Sequence, residues 1–321
     1  MLPKINLRRA ASLQDAVHQT ISGSIVCAGG TDLIGCLRDG VLRAENIISI
    51  QGISELRGIA TTRDGGLRIG ALTTLTEVAD HPMIREHYRA LAEGAAAAAS
   101  PQLRNQGTIG GNICQRPRCW YFRGDFHCLR KGGGTCFAVG GENEFHCIFG
   151  GSGCYIVHPS DTAPALVALD ARAVIVGKSG RRKVPLRSFF TLPNQELTKE
   201  NILEPGEIVS EIVLPPVDGC RSSYRKVRAR GSWDFALAGV ALALKVAGRK
   251  VEKARIVLSG VAPAPWPVAS AEKMLVGQEL HAEIISQVAS ACVMGAEPMT
   301  QNAYKVDLVR GIVEESLSAM A

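Results

Sequence analysis

Six of the ten cysteines lie between Cys114 and Cys154, in a stretch with neither a helical nor a strand period. Gly132, Gly133, Gly134, Gly140, Gly141, Gly150, Gly151 and Gly153 break it further. An aperiodic loop of about 40 residues inside a compact domain needs its own source of order, and a metal centre supplies one. Disulfides are the other use of clustered thiols, but they serve chains too short to build a core. With 321 residues, 46% of them hydrophobic, this chain has material for two domains. No apolar h-region follows Arg8 and Arg9, so no signal peptide is predicted. A cytoplasmic, reducing setting is expected, where such cysteines hold metal more often than they pair.

Other function classes fall away early. No apolar run is long enough for a membrane span, so no membrane insertion is expected. The net charge is +6, but the basic residues are scattered rather than gathered into a stripe, so nucleic acid is not an expected partner. There is no HExxH, no Walker loop and no defensible Ser/His/Asp order, which leaves a hydrolase without support.

Around the insert, the chain reads as short strands and helices. Ser12 is placed to cap a helix that carries Asp15 in its first turn. Ser24-Ile25-Val26-Cys27, Asn46 to Ile50 and Gly66 to Gly70 read as strands. Thr73 or Thr74 caps a helix with Glu77 in its first turn. The alanine-rich run from Ala90 to Ser100 favours a helix that Pro101 ends. A helix starts at Asp161, and Ala173 to Val176 is a strand. Pro215-Pro216-Val217-Asp218-Gly219 marks a boundary. Beyond it, Ser223 to Val227 reads as a strand, Phe235 to Val246 pairs with Val251 to Ser259 around Gly248, and Ala271 to Leu317 is helical. The tail is therefore a small α+β unit, an antiparallel sheet with helices on one face.

Four segments carry chemistry. Ala28-Gly29-Gly30-Thr31-Asp32-Leu33 follows a strand. Its adjacent glycines let several N–H groups converge on an anion, with no Cβ in the way of a diphosphate. Thr108-Ile109-Gly110-Gly111-Asn112 repeats that logic, and two such loops suit a long diphosphate ligand; the plain alternative is two unrelated tight turns. Cys119, Cys128, Cys136 and Cys154 are separated by 9, 8 and 18 residues. These gaps fit neither a zinc knuckle nor a bacterial ferredoxin run, yet suit a cubane iron–sulfur cluster on an irregular scaffold. Cys114, Cys147, His127 and His146 are further candidates, a loop histidine being more often solvated or capping. Arg116, Arg118, Arg123, Arg130 and Lys131, against Asp125 alone, place positive charge where it offsets an anionic cluster. In a strand from Tyr224 to Arg230, Lys226, Arg228 and Arg230 share one face, either as a cationic row for an anionic flavin or as an ordinary solvated face.

Together with Leu67-Arg68-Ile69-Gly70-Ala71, His158-Pro159-Ser160-Asp161-Thr162-Ala163-Pro164 and Arg255-Ile256-Val257-Leu258-Ser259-Gly260-Val261-Ala262-Pro263, the two glycine segments resemble the FAD-binding subunits of the molybdenum hydroxylases. These are the xanthine dehydrogenase and aldehyde oxidoreductase relatives. The insert, with Arg116-Pro117-Arg118-Cys119-Trp120-Tyr121-Phe122-Arg123 and the step from Cys128 to Cys136, is similar to that of members with an extra 4Fe-4S cluster. These include the β-subunit of 4-hydroxybenzoyl-CoA reductase and, more closely, the FAD subunit of bacterial three-subunit aldehyde oxidoreductases.

The resemblance implies metal ligands at Cys119, Cys128, Cys136 and Cys154, with Cys147 the alternative to the last. It implies that Cys27, Ala28, Gly29, Gly30, Thr31, Asp32, Leu33 and Ile34, together with Thr108, Ile109, Gly110, Gly111 and Asn112, hold the FAD diphosphate. Asp161 would lie near the ribityl or ribose hydroxyls, and Lys226 near the isoalloxazine, with Arg228 or Arg230 in its place under a register change. The implied fold is α+β: a vanillyl-alcohol-oxidase-type FAD domain of two subdomains over residues 1–217, with the insert at about 114–154, and a C-terminal domain over 218–321.

The implied function is electron transfer, with no catalytic residue on this chain. A large molybdenum-cofactor subunit would oxidise the substrate, an aldehyde, and a small subunit with two 2Fe-2S clusters would feed the FAD. The extra cluster would serve a one-electron partner such as a ferredoxin. Co-export with a signalled partner would make the compartment periplasmic instead. Two rival expectations are a stand-alone FAD-dependent reductase or oxidase, and a non-redox, zinc-stabilised binding module.

Overall fold

Parallel strands need long crossovers, and the N-terminal segment supplies helices for them. The computed structural model describes residues 2–321. Its first sheet has three parallel strands in the order Asn6–Arg9, Asn46–Ser49, Ser24–Cys27. Helices Leu13–Gln19 and Leu33–Arg38 make the connections. Ser12 Oγ accepts from the Asp15 amide at 3.1 Å, the predicted cap. The strand Ser24–Cys27 ends where the Gly29-Gly30 turn begins, so the sheet delivers that turn to its C-terminal edge.

The second sheet is antiparallel. Its five strands run in the order Ile59–Thr61, Leu67–Gly70, Ile208–Leu214, Arg172–Gly177, Gly180–Pro185. Helices Leu75–Asp80, Arg89–Ala97 and Thr162–Ala168 bury Val78, Leu91, Ala95 and Leu166 against Leu67, Ile69 and Ile212. Leu72 and Ile208 also pack with Ile48 and Ile50, which joins the first sheet to the second. Thr74 and Glu77 form a complete capping box. The alanine-rich helix ends at Ala97 rather than Ser100. Ala99 is left-handed (φ 47°), and Pro101 opens a new turn, Pro101–Arg104, with Ser100 as its cap. Proline suits the first position of a helix because that N–H has no helical acceptor.

The C-terminal sheet has the strand order Trp266–Pro267, Lys250–Ser259, Ala238–Ala247, Arg221–Val227, all antiparallel. Side chains along the central strand alternate between two cores. Val240, Leu242 and Leu244 face helices Ala269–Leu275, Ala282–Ala291 and Tyr304–Ser318. Ala241 and Ala243 face the core of the five-stranded unit, together with Tyr224 and Val257. The sheet is thus covered on both faces, not one. Its edge strand stops at Val227, so Arg228 and Arg230 lie in the following loop, and the cationic row expected with Lys226 does not form.

The insert has only one helical turn, Trp120–Arg123, and a 3-10 turn, Leu129–Lys131. Polar anchors order it. Glu200 reaches in from the segment between the strands Gly180–Pro185 and Ile208–Leu214, pairing with Arg130 at 2.8 Å and Arg116 at 3.1 Å. Asn143 exchanges hydrogen bonds with the main chain of Gln301 and vice versa, both 2.9 Å. Four of the five expected cations are therefore paired, two on each carboxylate, and a positive excess remains: Glu200 takes Arg116 and Arg130, and Asp32 takes Arg118 and Arg123. Those acids are remote in sequence, so no local reading finds them.

The Arg130–Glu200 pair is fully enclosed, and removing one partner leaves a buried charge uncompensated. Glu200→Ala is expected to destabilise the chain by about 3–5 kcal/mol, read as a lowered midpoint in denaturant; an unchanged midpoint contradicts the anchoring role.

Candidate functional site

The Gly29-Gly30 turn is built for close approach. A Cβ on Gly29 would sit 2.0 Å from the Gln106 carbonyl oxygen, and Gly30 has φ +73°. Among the described residues, the amides of Gly29, Gly30, Thr31 and Asp32 have no protein acceptor. Four successive unpaired N–H groups, on residues that line one cavity, are available to an anion. The Asp32 carboxylate does not share in it. It turns to the insert, accepting from the Arg116 amide at 2.8 Å, Arg118 at 2.9 Å and Arg123 at 2.8 Å.

The second glycine segment plays a different part. It is not a loop beside a strand but the start of a helix, Ile109–Ile113, capped by Thr108. Its amides are taken: Ile109 by Thr73, Gly110 by Ala71, Gly111 by Thr108 Oγ1. Its glycines serve packing, since a Cβ on Gly110 would lie 2.8 Å from that of Ala71. Asn112 Oδ1 accepts from Ser160 and Thr162 hydroxyls, both 2.6 Å, which ties this segment to the start of helix Thr162–Ala168.

Two cavities meet at these segments. One, of about 380 Å³, is lined by Cys27 to Leu33, Leu72, Gly110 and Ile208. The other, of about 500 Å³, is lined by Ala99, Asn112, Asp161, Arg230, Trp233 and Phe235. Thr31, Thr108 and Gly111 line both. The result is one long trench with the free amides near its middle. Ile109 is fully buried in the core and lines neither cavity, and Ile34 is exposed outside them.

Asp161 faces the second cavity and is tightly held. Its carboxylate accepts from Tyr224 and from Lys226, both 2.8 Å, and Lys226 also donates to the Ala97 carbonyl at 3.2 Å. Burial pushes the Asp161 carboxyl up, while the Lys226 ammonium pulls it back. Lys226 thus acts on the trench through Asp161 rather than by lining it. Gln106, whose side chain donates to the Gly29 carbonyl at 3.3 Å, and the exposed, left-handed Trp233 were invisible to motif reading.

A third, mostly apolar cavity of about 170 Å³ adjoins the trench at Arg118, Pro159, Asp161 and Phe235. Trp120, Phe145, His146 and His158 form its far wall. Burial holds both histidines down at about 4, so both are neutral imidazoles near pH 7. Behind it, Cys119, Cys128, Cys136 and Cys154 line one small interior cavity with Arg130 and His146. Cys147 lies outside that lining, packed on Gly151. All ten cysteines are free. Among the described residues, no three His, Cys, Asp or Glu side chains converge as ligands of a single metal ion, and no helix is long and apolar enough to cross a membrane.

A glycine turn that a Cβ would fill, four free amides and a trench extending to both sides fit a dinucleotide diphosphate, and the class defined is a dinucleotide-binding protein with an appended α+β domain. Residues 3–217 match the FAD binding domain in molybdopterin dehydrogenase, and residues 222–320 the CO dehydrogenase flavoprotein C-terminal domain. The chain is 36% identical over 296 residues to the aldehyde oxidoreductase FAD-binding subunit of Escherichia coli, covering 91% of this chain and 90% of that one. It is 28% identical to the glyceraldehyde dehydrogenase medium chain of Sulfolobus acidocaldarius, covering 90% and 86%. A solved carbon monoxide dehydrogenase of Hydrogenophaga pseudoflava superposes with a TM-score of 0.79 at 28% identity, covering 99% of this chain and 98% of that one. The chain belongs to the FAD-binding medium subunits of the molybdenum hydroxylases, an oxidoreductase family, which sets aside the non-redox binding module.

Gly29→Ala forces the Gln106 main chain away, an overpacking of about 1–3 kcal/mol, and so displaces the turn that would receive the flavin diphosphate. Flavin per purified chain is expected to fall accordingly in the visible spectrum; full retention refutes the cradle. Lys226→Met leaves Asp161 charged and unpaired in the interior, a loss of about 3–5 kcal/mol that Asp161→Asn in the same chain is expected to relieve in a thermal melt.

Proposed function

We propose that this chain is the electron-transfer subunit of a molybdenum-containing aldehyde oxidoreductase, carrying FAD in the trench and a 4Fe-4S cluster on Cys119, Cys128, Cys136 and Cys154. The observation that carries the cluster is the convergence of those four thiols, from four separate turns of the insert, on one interior cavity. A cubane gives each thiolate its own iron, so its ligands stand apart, whereas a zinc site needs them around one point. The position of Cys147 outside the cavity supports Cys154 as the fourth ligand. The aldehyde assignment is carried by the aldehyde oxidoreductase and glyceraldehyde dehydrogenase relatives.

When bound, FAD and the cluster together let two-electron and one-electron carriers exchange. The chain's own residues do the rest. The free amides of Gly29 to Asp32 would hold the diphosphate, and Asp161, held by Lys226 and Tyr224, would accept a hydroxyl or ring N–H in the second cavity. Burial pushes the Cys154 thiol up, and the positive charge of Arg130 pulls it part of the way back, toward the thiolate that a metal requires. We place a large molybdenum-cofactor subunit and a small subunit with two 2Fe-2S clusters beside it, and a ferredoxin-like carrier as the cluster's one-electron partner.

The test is anaerobic purification with the partner subunits, followed by flavin, iron and zinc analysis of this chain. About one flavin and four irons per chain are expected, with broad cluster absorption beneath the flavin bands. Flavin with no iron overturns the cluster, zinc in the insert replaces it, and substrate turnover by the isolated chain makes it a stand-alone flavoenzyme.

A further inference from the structure

The cysteine cavity and the apolar cavity beside the trench meet at two residues that line both, Cys119 and His146. His146 Nε2 lies 3.3 Å from Cys119 Sγ. The ring is 4% exposed, with Trp120 edge-on to it and Tyr121 tilted against it, each at 6.1 Å between centroids. It is far from the solvated or capping histidine that its place in a loop suggests.

Its main chain is held from the C-terminal domain. Asn302 Nδ2 donates to the His146 carbonyl at 3.0 Å. Lys305, itself buried, donates to the Phe145 carbonyl at 3.1 Å and to Gly260 at 2.8 Å. The segment carrying the ring is thereby stapled to the helix Tyr304–Ser318, and the ring has a fixed place against the sulfur.

A metal-bound thiolate offers only acceptor capacity, so a contact at this distance requires the ring proton on Nε2. We propose that His146 is a positioning residue that donates an Nε2–H hydrogen bond to the Cys119 thiolate and so raises the reduction potential of the cluster at its flavin-facing edge. Gaining one electron makes a thiolate-ligated cluster more negative. A donor fixed in a low-dielectric interior stabilises that more negative state the more strongly, and hydrogen bonds to cluster sulfurs are a general means of setting potential. The inference rests on the 4Fe-4S reading above.

The experiment is an EPR-monitored redox titration of the assembled complex, wild type against H146F and H146Q. The phenylalanine fills the ring's space without an N–H, and glutamine restores a donor. A lower midpoint for the 4Fe-4S signal is expected in H146F, with recovery toward wild type in H146Q and unshifted 2Fe-2S and flavin midpoints in both. An unshifted 4Fe-4S midpoint in H146F, with iron content intact, overturns the proposal. A second measurement needs no variant: the reduced wild-type cluster is expected to show a nitrogen modulation in pulsed EPR that changes when histidine alone is labelled with ¹⁵N. Absence of any histidine-dependent modulation overturns the hydrogen bond. A wild-type complex with flavin but no 4Fe-4S signal overturns the cluster itself, a result distinct from both.

Discussion

The Asp32 carboxylate accepts from the Arg116 amide and from the Arg118 and Arg123 guanidiniums while its own amide stays free toward the trench. One residue therefore joins the glycine turn to the insert. If Asp32 faced the trench, its charge would repel a diphosphate, and two half-buried guanidiniums would lose their partner. Turned outward, it clears the anion site and anchors the cysteine segment at its first turn. Glu200 repeats the device on Arg116 and Arg130. The insert is held by these two carboxylates and by the C-terminal domain, so its cysteines have set positions before any metal is considered.

The C-terminal sheet links the remaining parts. With alanines toward one core and branched side chains toward the other, it lets the helices Thr162–Ala168 and Arg89–Ala97 pack on one face while its own helices cover the opposite face. Tyr224 and Lys226 project from its edge strand to Asp161, and Asn302 and Lys305 reach the insert from the start of its last helix. The domain thus contributes to both the flavin-side cavity and the cysteine segment. The three adjoining cavities, sharing first Asp161 and Phe235 and then Cys119 and His146, follow from that shared construction.

Much of this was legible from residue order. Ser12, Thr74 with Glu77, and the hairpin around Gly248 are local devices, and each forms as its residues dictate. The glycine turn after Cys27 was legible for the same reason: a backbone that must turn sharply and leave room can use little else. The limits were equally physical. Pro101 reads as a stop or a start depending on the turn before it, and Ala99 settled that. The second glycine segment looked like a twin of the first, yet its amides are consumed by Ala71, Thr73 and Thr108, partners that only folding supplies. The apparent cationic row failed because its strand ends at Val227.

The sequence by itself determined the elements, the flavin-binding class and the cysteine-bearing insert, because caps, turns, periodicity and short motifs act over a few residues. The tertiary structure alone decided which charges are paired, which glycine segment offers free amides, which four thiols share a cavity and where His146 lies. Each of these is a contact between segments remote in the chain, with Asp32 reaching Arg123, Glu200 reaching Arg130 and Asn302 reaching His146. Pairing of this kind is set by how the sheets stack, and stacking is a property of the whole core rather than of any window of sequence.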